Sequence, residues 1–138
     1  MIKSRKAQLS IEYLIIMSFV LFIILILMAS YMIYQQHFES DVVTSQVKRI
    51  AITLADTSEE VYYYGEPSKS TVKIYMPPDV VRVNFSGKGV IFRVRTPGGE
   101  SDIEAYASVN MSGNLSTSQG LKLVEISARE GYVWIEER

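Results

Sequence analysis

Residues able to act on a substrate are few in this chain, and their spacing does not suit catalysis. The 138 residues include no cysteine and one histidine, His37. There is therefore no thiolate nucleophile, no zinc knuckle and no histidine pair for a metal, and a Ser/His/Asp set would need His37 to reach a distant domain. Glu59-Glu60 and Glu136-Glu137 are adjacent carboxylates, but neighbours in sequence point apart and read as solvated faces, not acid/base pairs. Gly87-Lys88-Gly89 and Gly98-Gly99 lack the strand-loop-helix setting of a phosphate cradle and read as turns. Tyr62-Tyr63-Tyr64 reads as packing where a helix meets the rest of the chain. The expectation is a protein with no catalytic residue, no metal site and no cofactor, and not an enzyme.

Two other patterns carry more information. Asn84-Phe85-Ser86, Asn110-Met111-Ser112 and Asn114-Leu115-Ser116 each match the acceptor sequon for N-glycosylation, which predicts an exported surface. Asn84 and Asn110 are expected on polar strand faces and Asn114 in a loop. The second pattern is Lys6-Ala7-Gln8-Leu9-Ser10-Ile11-Glu12-Tyr13-Leu14, a polar patch between a basic start and a long oily run.

That run, Leu14 to Ile33, contains no charge and has the roughly 20 apolar residues a helix needs to cross a bilayer. Lys3, Arg5 and Lys6 precede it, while Glu39 and Asp41 follow. This asymmetry predicts a cytoplasmic amino terminus with the bulk of the chain outside. A secretory signal peptide is the competing reading, but its apolar core is about 7–15 residues and ends in small residues at fixed spacing. Ala29-Ser30-Tyr31-Met32 does not supply them. A net charge of -1 argues against a nucleic-acid partner, which calls for a basic stripe. Three of the 14 basic residues lie in residues 1–7, so the rest of the chain has 11 against 15 acidic ones, a net of -4.

Gln8, Ser10 and Glu12, alternating just after a short basic leader, resemble the class III signal peptide of archaeal type IV pilin-like proteins. The family often has leucine four residues after the glutamate, where this chain has Ile16. The resemblance implies a prepilin peptidase cutting between Ala7 and Gln8, which would leave the apolar helix on the mature protein. It further implies an assembly ATPase and a membrane platform protein as partners, and self-assembly into an extracellular filament for adhesion or surface attachment. An archaellum subunit fits this leader less well. Glu12 would set register in the filament core, because an ionised group among hydrocarbon is expensive and seeks a partner. The new α-amino group at Gln8 would be that partner, in a neighbouring subunit or, at the i, i+4 spacing, in the same helix. Other readings are a minor or initiating pilin, and a monomeric membrane-anchored binding protein that keeps its leader.

Past the apolar run, Val43, Val47, Ile50 and Leu54 recur at helical spacing and form one stripe, which Phe38 would extend. Asp41, Ser45, Lys48, Arg49 and Asp56 occupy the opposite face. Gly65 and Pro67 end the helix. Helix from near Leu9 to Tyr64 would be roughly 80 Å long at about 1.5 Å per residue, with breaks conceivable near Gln35-Gln36-His37 or at Asp56 to Glu60. From Thr71 the period becomes two: Val72, Ile74, Met76; Val81, Val83, Phe85; Val90, Phe92, Val94; Ile103, Ala105, Ala107, Val109. A polar loop should follow, then Leu121 to Ser127, with a bulge where Leu123-Val124 breaks alternation, and Tyr132 to Glu136. The fold class expected is α+β. A basic leader (1–7) precedes a long helix (8–65) with its core segment at 14–33, and a head (66–138) of about six short strands forms an antiparallel sheet or small sandwich.

Overall fold

The computed structural model describes the backbone of residues 2–138, and their side chains apart from those of residues 2–9, 36 and 37. The fold is α+β. Helix α1, Ile2–Tyr64, draws on a stretch without a single glycine or proline, the two residues that cost a helix interior most. It continues through Asp56–Glu60, where the sequence allowed a break; the other candidate break involves Gln36 and His37, whose side chains lie outside the described residues. Gly65 ends it with φ +75°, its N–H donating to the Tyr62 carbonyl at 3.0 Å. Glycine enters this left-handed cap without a Cβ penalty. The chain divides into two compact units, Met1–Phe38 and Glu39–Arg138.

In the second unit, Val47, Ile50, Ala51, Leu54, Ala55, Ser58 and Val61 are buried, while Asp41, Ser45, Lys48, Arg49 and Asp56 are exposed. This is the amphipathic stripe read from sequence, widened by small residues that let the helix approach closely. Phe38 is exposed and does not extend it. Of the tyrosine triplet, only Tyr62 packs on the core. Tyr63 meets it edge-on at 6.1 Å between ring centroids, and Tyr63 and Tyr64 are exposed, so junction packing holds for one residue of three.

The head has seven strands: β1 Lys69–Met76, β2 Val80–Ser86, β3 Gly89–Thr96, β4 Gly99–Tyr106, β5 Met111–Asn114, β6 Gly120–Arg129 and β7 Tyr132–Glu137. One sheet has the order β1-β6-β7-β5 and the other β2-β3-β4. Their inner faces share a single core with the α1 stripe, including Phe92, Met76, Ile126 and Ile135. All pairings are antiparallel except β5 with β7.

Three expectations for the strands change. Strand β5 lies where the sequence reads as a polar loop; Met111 and Leu115 are buried, and the glycine between them allows a close parallel pairing. Strand β4 stops at Tyr106, although Ala107 and Val109 remain buried. There the Ser108 N–H leaves the ladder and donates to Glu59 Oε1 at 2.5 Å. The irregularity expected at Leu123-Val124 falls instead between Val80 and Arg82 of β2, which buries Val80 and leaves Val81 exposed.

Strand β6 alternates without a break, but Lys122 faces inward with Val124, Ile126 and Ala128, and Leu121 and Leu123 face out. Lys122 Nζ donates to Glu137 Oε1 at 2.7 Å and Ser118 Oγ at 3.0 Å. These bonds offset part of the cost of removing an ammonium from water. The hydrogen bond from Lys122, joined by the Ser116 N–H, holds the Glu137 carboxyl below its usual range. A carboxyl lowered by folding stabilises the native state above its unfolded value, and that contribution fades as pH falls through the folded one. Glu137→Gln is therefore expected to lower stability by about 1–3 kcal/mol, less than for a fully buried pair because Glu137 is partly exposed. Lys122→Met should be near neutral, since it removes the buried charge along with its partner's role. Urea unfolding of the head at pH 7 and pH 3 tests both, with the gap between wild type and Glu137→Gln narrowing at pH 3. A large loss from Lys122→Met with no loss from Glu137→Gln would contradict this account.

Candidate functional site

The first unit presents the most conspicuous surface. Every residue from Ser10 to Gln35 is exposed, among them Leu14, Phe19, Phe22, Leu25, Leu27 and Ile33. The apolar window in this helix has a mean hydropathy of 2.8, and none of it is buried. Its polar groups are satisfied locally, since Ser18 Oγ donates to the Leu14 carbonyl at 2.7 Å and Ser30 Oγ to the Ile26 carbonyl at 2.9 Å. Such back-bonding hides a hydroxyl within the helix, as an apolar surrounding requires. Ser10 and Glu12 stand exposed at the start of this surface. Lys6, Ala7 and Gln8, the remainder of the leader motif and both sides of the expected cleavage, have side chains outside the described residues. The core segment 14–33 thus forms an all-round apolar face on one helix, long and apolar enough to cross a membrane.

The sequon asparagines are all exposed; Asn84 has the strand setting expected of it, and the other two do not. Asn84 is on β2, opposite Ile91 of β3. Asn110 precedes β5 instead of lying within a strand, and its carbonyl accepts from the Val133 N–H at 2.8 Å. Asn114 is not in a loop; it is the last residue of β5, paired with Glu136. The Ser116 hydroxyl of its sequon lies 2.9 Å from Ser118 Oγ, so it is already engaged within its loop.

The carboxylate pairs separate as neighbours should. Glu59 accepts from the Ser108 N–H and hydroxyl, which together hold its carboxyl below the usual range, whereas Glu60 is exposed. Glu136 accepts from Trp134 Nε1 at 3.0 Å, and Glu137 reaches Lys122. Among the described residues no three potential metal-ligating side chains come together. Sequence reasoning missed a groove beside β1, lined by Val42, Arg49, Ile50, Lys73 and Tyr75, with a volume of about 650 Å³. The signal for it was present in Val42 and Tyr75, apolar residues off the core phase of their elements.

Fold and surface together define a class: an amino-terminal apolar helix of membrane-spanning length followed by a two-sheet β head. Compared with models of known families, with curated proteins and with solved structures, the chain matches none of them.

Proposed function

We propose that the chain is a structural subunit of an archaeal type IV-like pilus, inserted in the cell membrane as a precursor with its amino terminus in the cytoplasm and assembled outside the cell into an adhesive filament. The observation that carries this reading is the bare apolar surface over residues 14–33, headed by Glu12 and preceded by the leader-like motif. Each large aliphatic side chain moved from water into apolar surroundings contributes about 1.5–3 kcal/mol. A helix exposing so many of them needs lipid at first, and copies of itself once it leaves the bilayer. No catalytic step is assigned; the work done is cohesion.

In this reading a prepilin peptidase removes residues 1–7, an assembly ATPase and a platform protein extrude the subunit, and Glu12 meets the freed amino group of Gln8 within or between subunits. The sequons at Asn84, Asn110 and Asn114 present their side chains to solvent, which suits a glycosylated outer surface.

Mass spectrometry of the native amino terminus tests the proposal, with a mature chain starting at Gln8 expected. Glu12→Ala should abolish filaments on the producing cells while leaving the subunit in the membrane fraction. Undiminished filaments from that variant would refute the register role, and a native chain still carrying its leader would refute assembly.

A further inference from the structure

Strand β6 has its register set by Val124, Ile126 and Ala128, which are buried; a slip by one residue would turn all three to solvent. Its other face is then free to be polar. Leu121 and Leu123 are nonetheless 61% and 45% exposed, and Tyr75, directly opposite Leu121, is 54% exposed. Side chains this exposed add less to the fold than buried ones do. A contiguous apolar patch rimmed by charge marks a surface that something covers.

The patch continues around the sheet edge. Among the described residues strand β1 pairs with β6 alone, and the Ala128 N–H donates to the Ser68 carbonyl. Antiparallel alternation therefore turns the backbone groups of Lys69, Thr71, Lys73 and Tyr75 away from β6, towards the open edge. The groove of about 650 Å³ lies along this edge against Val42–Thr53 of α1. Arg49 and Lys73 flank it, and neither forms an ion pair among the described residues.

A surface of opposite character sits on the other sheet. Strand β4 is also an edge, and its outward side chains are Glu100, Asp102, Glu104 and Tyr106. Arg93 engages Asp102 through two hydrogen bonds of 2.7 and 2.9 Å and lies 3.8 Å from Glu100. Among the described residues, Glu104 accepts from the Tyr106 hydroxyl alone. Tyr106 is 72% exposed, yet its ring is positioned: its edge carbons lie 3.2 Å from where a Cβ on Gly89 would stand. An oriented tyrosine beside an available carboxylate makes a good binding anchor.

We propose that the β4 face of one copy, through Tyr106 and Glu104, seats on the Tyr75 groove and patch of a second copy, with Glu104 meeting Lys73 and Arg49. This rests on the filament reading and names its head-to-head contact. Two copies joined by the same patch would set Lys73 and Arg49 against their own counterparts, with Asp41 the only carboxylate among the described residues that line the groove. The β4 face resolves that repulsion. Because donor and acceptor surfaces differ, the contact can repeat from copy to copy, and it builds an open helix when the rotation between copies does not close a ring.

The chain's lack of cysteine permits a direct test. Full-length Lys73→Cys/Glu104→Cys, expressed in the producing cells and oxidised as fibres, is expected to give a ladder of disulfide-linked multimers, with neither single variant giving one. Fibres without the ladder, or dimers from Leu121→Cys alone, overturn this contact and leave the filament reading standing. Absence of any fibres from the unmodified chain overturns both. Charge reversal provides a second arm independent of cross-linking geometry. Lys73→Glu and Glu104→Lys should each make fibres dissociate at lower denaturant, and the double swap should restore them; equal behaviour of all four chains overturns the proposal. Thermal unfolding of each variant head checks that these exposed substitutions leave the fold intact.

Discussion

A chain starting at Glu39 is expected to fold and stay in solution as a monomer at micromolar concentration, whereas the full chain will need a bilayer or detergent. The second unit, Glu39–Arg138, contains every buried apolar residue of the shared core, from Val47 to Ile135. No described residue before Val43 is among the residues that form that core or pack against it. Removing the apolar helix of the first unit deletes the exposed side chains of Leu14 to Ile33, which, at about 1.5–3 kcal/mol each, dominate partitioning. A single contact between heads is expected to be weak until a polymer raises its effective concentration. Sedimentation and size-exclusion chromatography of the two chains measure the difference. Aggregation or unfolding of the shorter one would mean that the head depends on the oily segment, contrary to the burial pattern.

Gly113→Ala is expected to be the most damaging single substitution in the head. A Cβ at Gly113 would overlap the carbonyl oxygen of Ile135 and come within 2.8 Å of its carbonyl carbon and 2.9 Å of its Cβ. Gly113 and Ile135 are register partners in the parallel β5–β7 pairing. Ile135 is fully buried, so the obstacle is backbone and a fixed core side chain, which cannot swing aside. Overpacking commonly costs about 1–3 kcal/mol where side chains can adjust, and more is expected here. A domain of this size has about 5–15 kcal/mol in total, so a loss above about 3 kcal/mol is a large share. Chemical denaturation of the shorter chain is the measurement; an unchanged midpoint would mean that β5 is not held against β7 as described. Gly98→Ala serves as the control, since nothing lies within 4 Å of its added Cβ and its φ is not positive.

The elements read most directly from the sequence were those decided by local pattern. A glycine- and proline-free run to Tyr64, with an uncharged first half and a stripe at Val47, Ile50 and Leu54, gave the helix and its two characters. Alternation gave β1, β3 and the buried residues of β4, and Gly87-Lys88 and Pro97-Gly98 gave two of the turns. The candidate surface at Leu14 to Ile33 was equally legible, because a helix apolar on every side can be recognised without knowing its neighbours.

What escaped was decided by partners distant in sequence. Strand β5 reads as a loop because Ser112, Gly113 and Asn114 have little strand propensity of their own; β7 recruits them, and only a glycine fits against Ile135. That recruitment also placed Asn114 at a strand end instead of in a loop. Lys122 reads as a surface residue, and Glu137, 15 positions later, together with Ser118 makes its inward placement tolerable. The bulge went to Val80/Arg82 rather than Leu123-Val124 because the β6 register is held on both sides, by β1 and by β7. Periodicity along the chain determined which segments are helix or strand and which face is oily; sheet order, the groove beside β1 and the outward leucines were decided by pairings between distant strands, whose cost and benefit no local window contains.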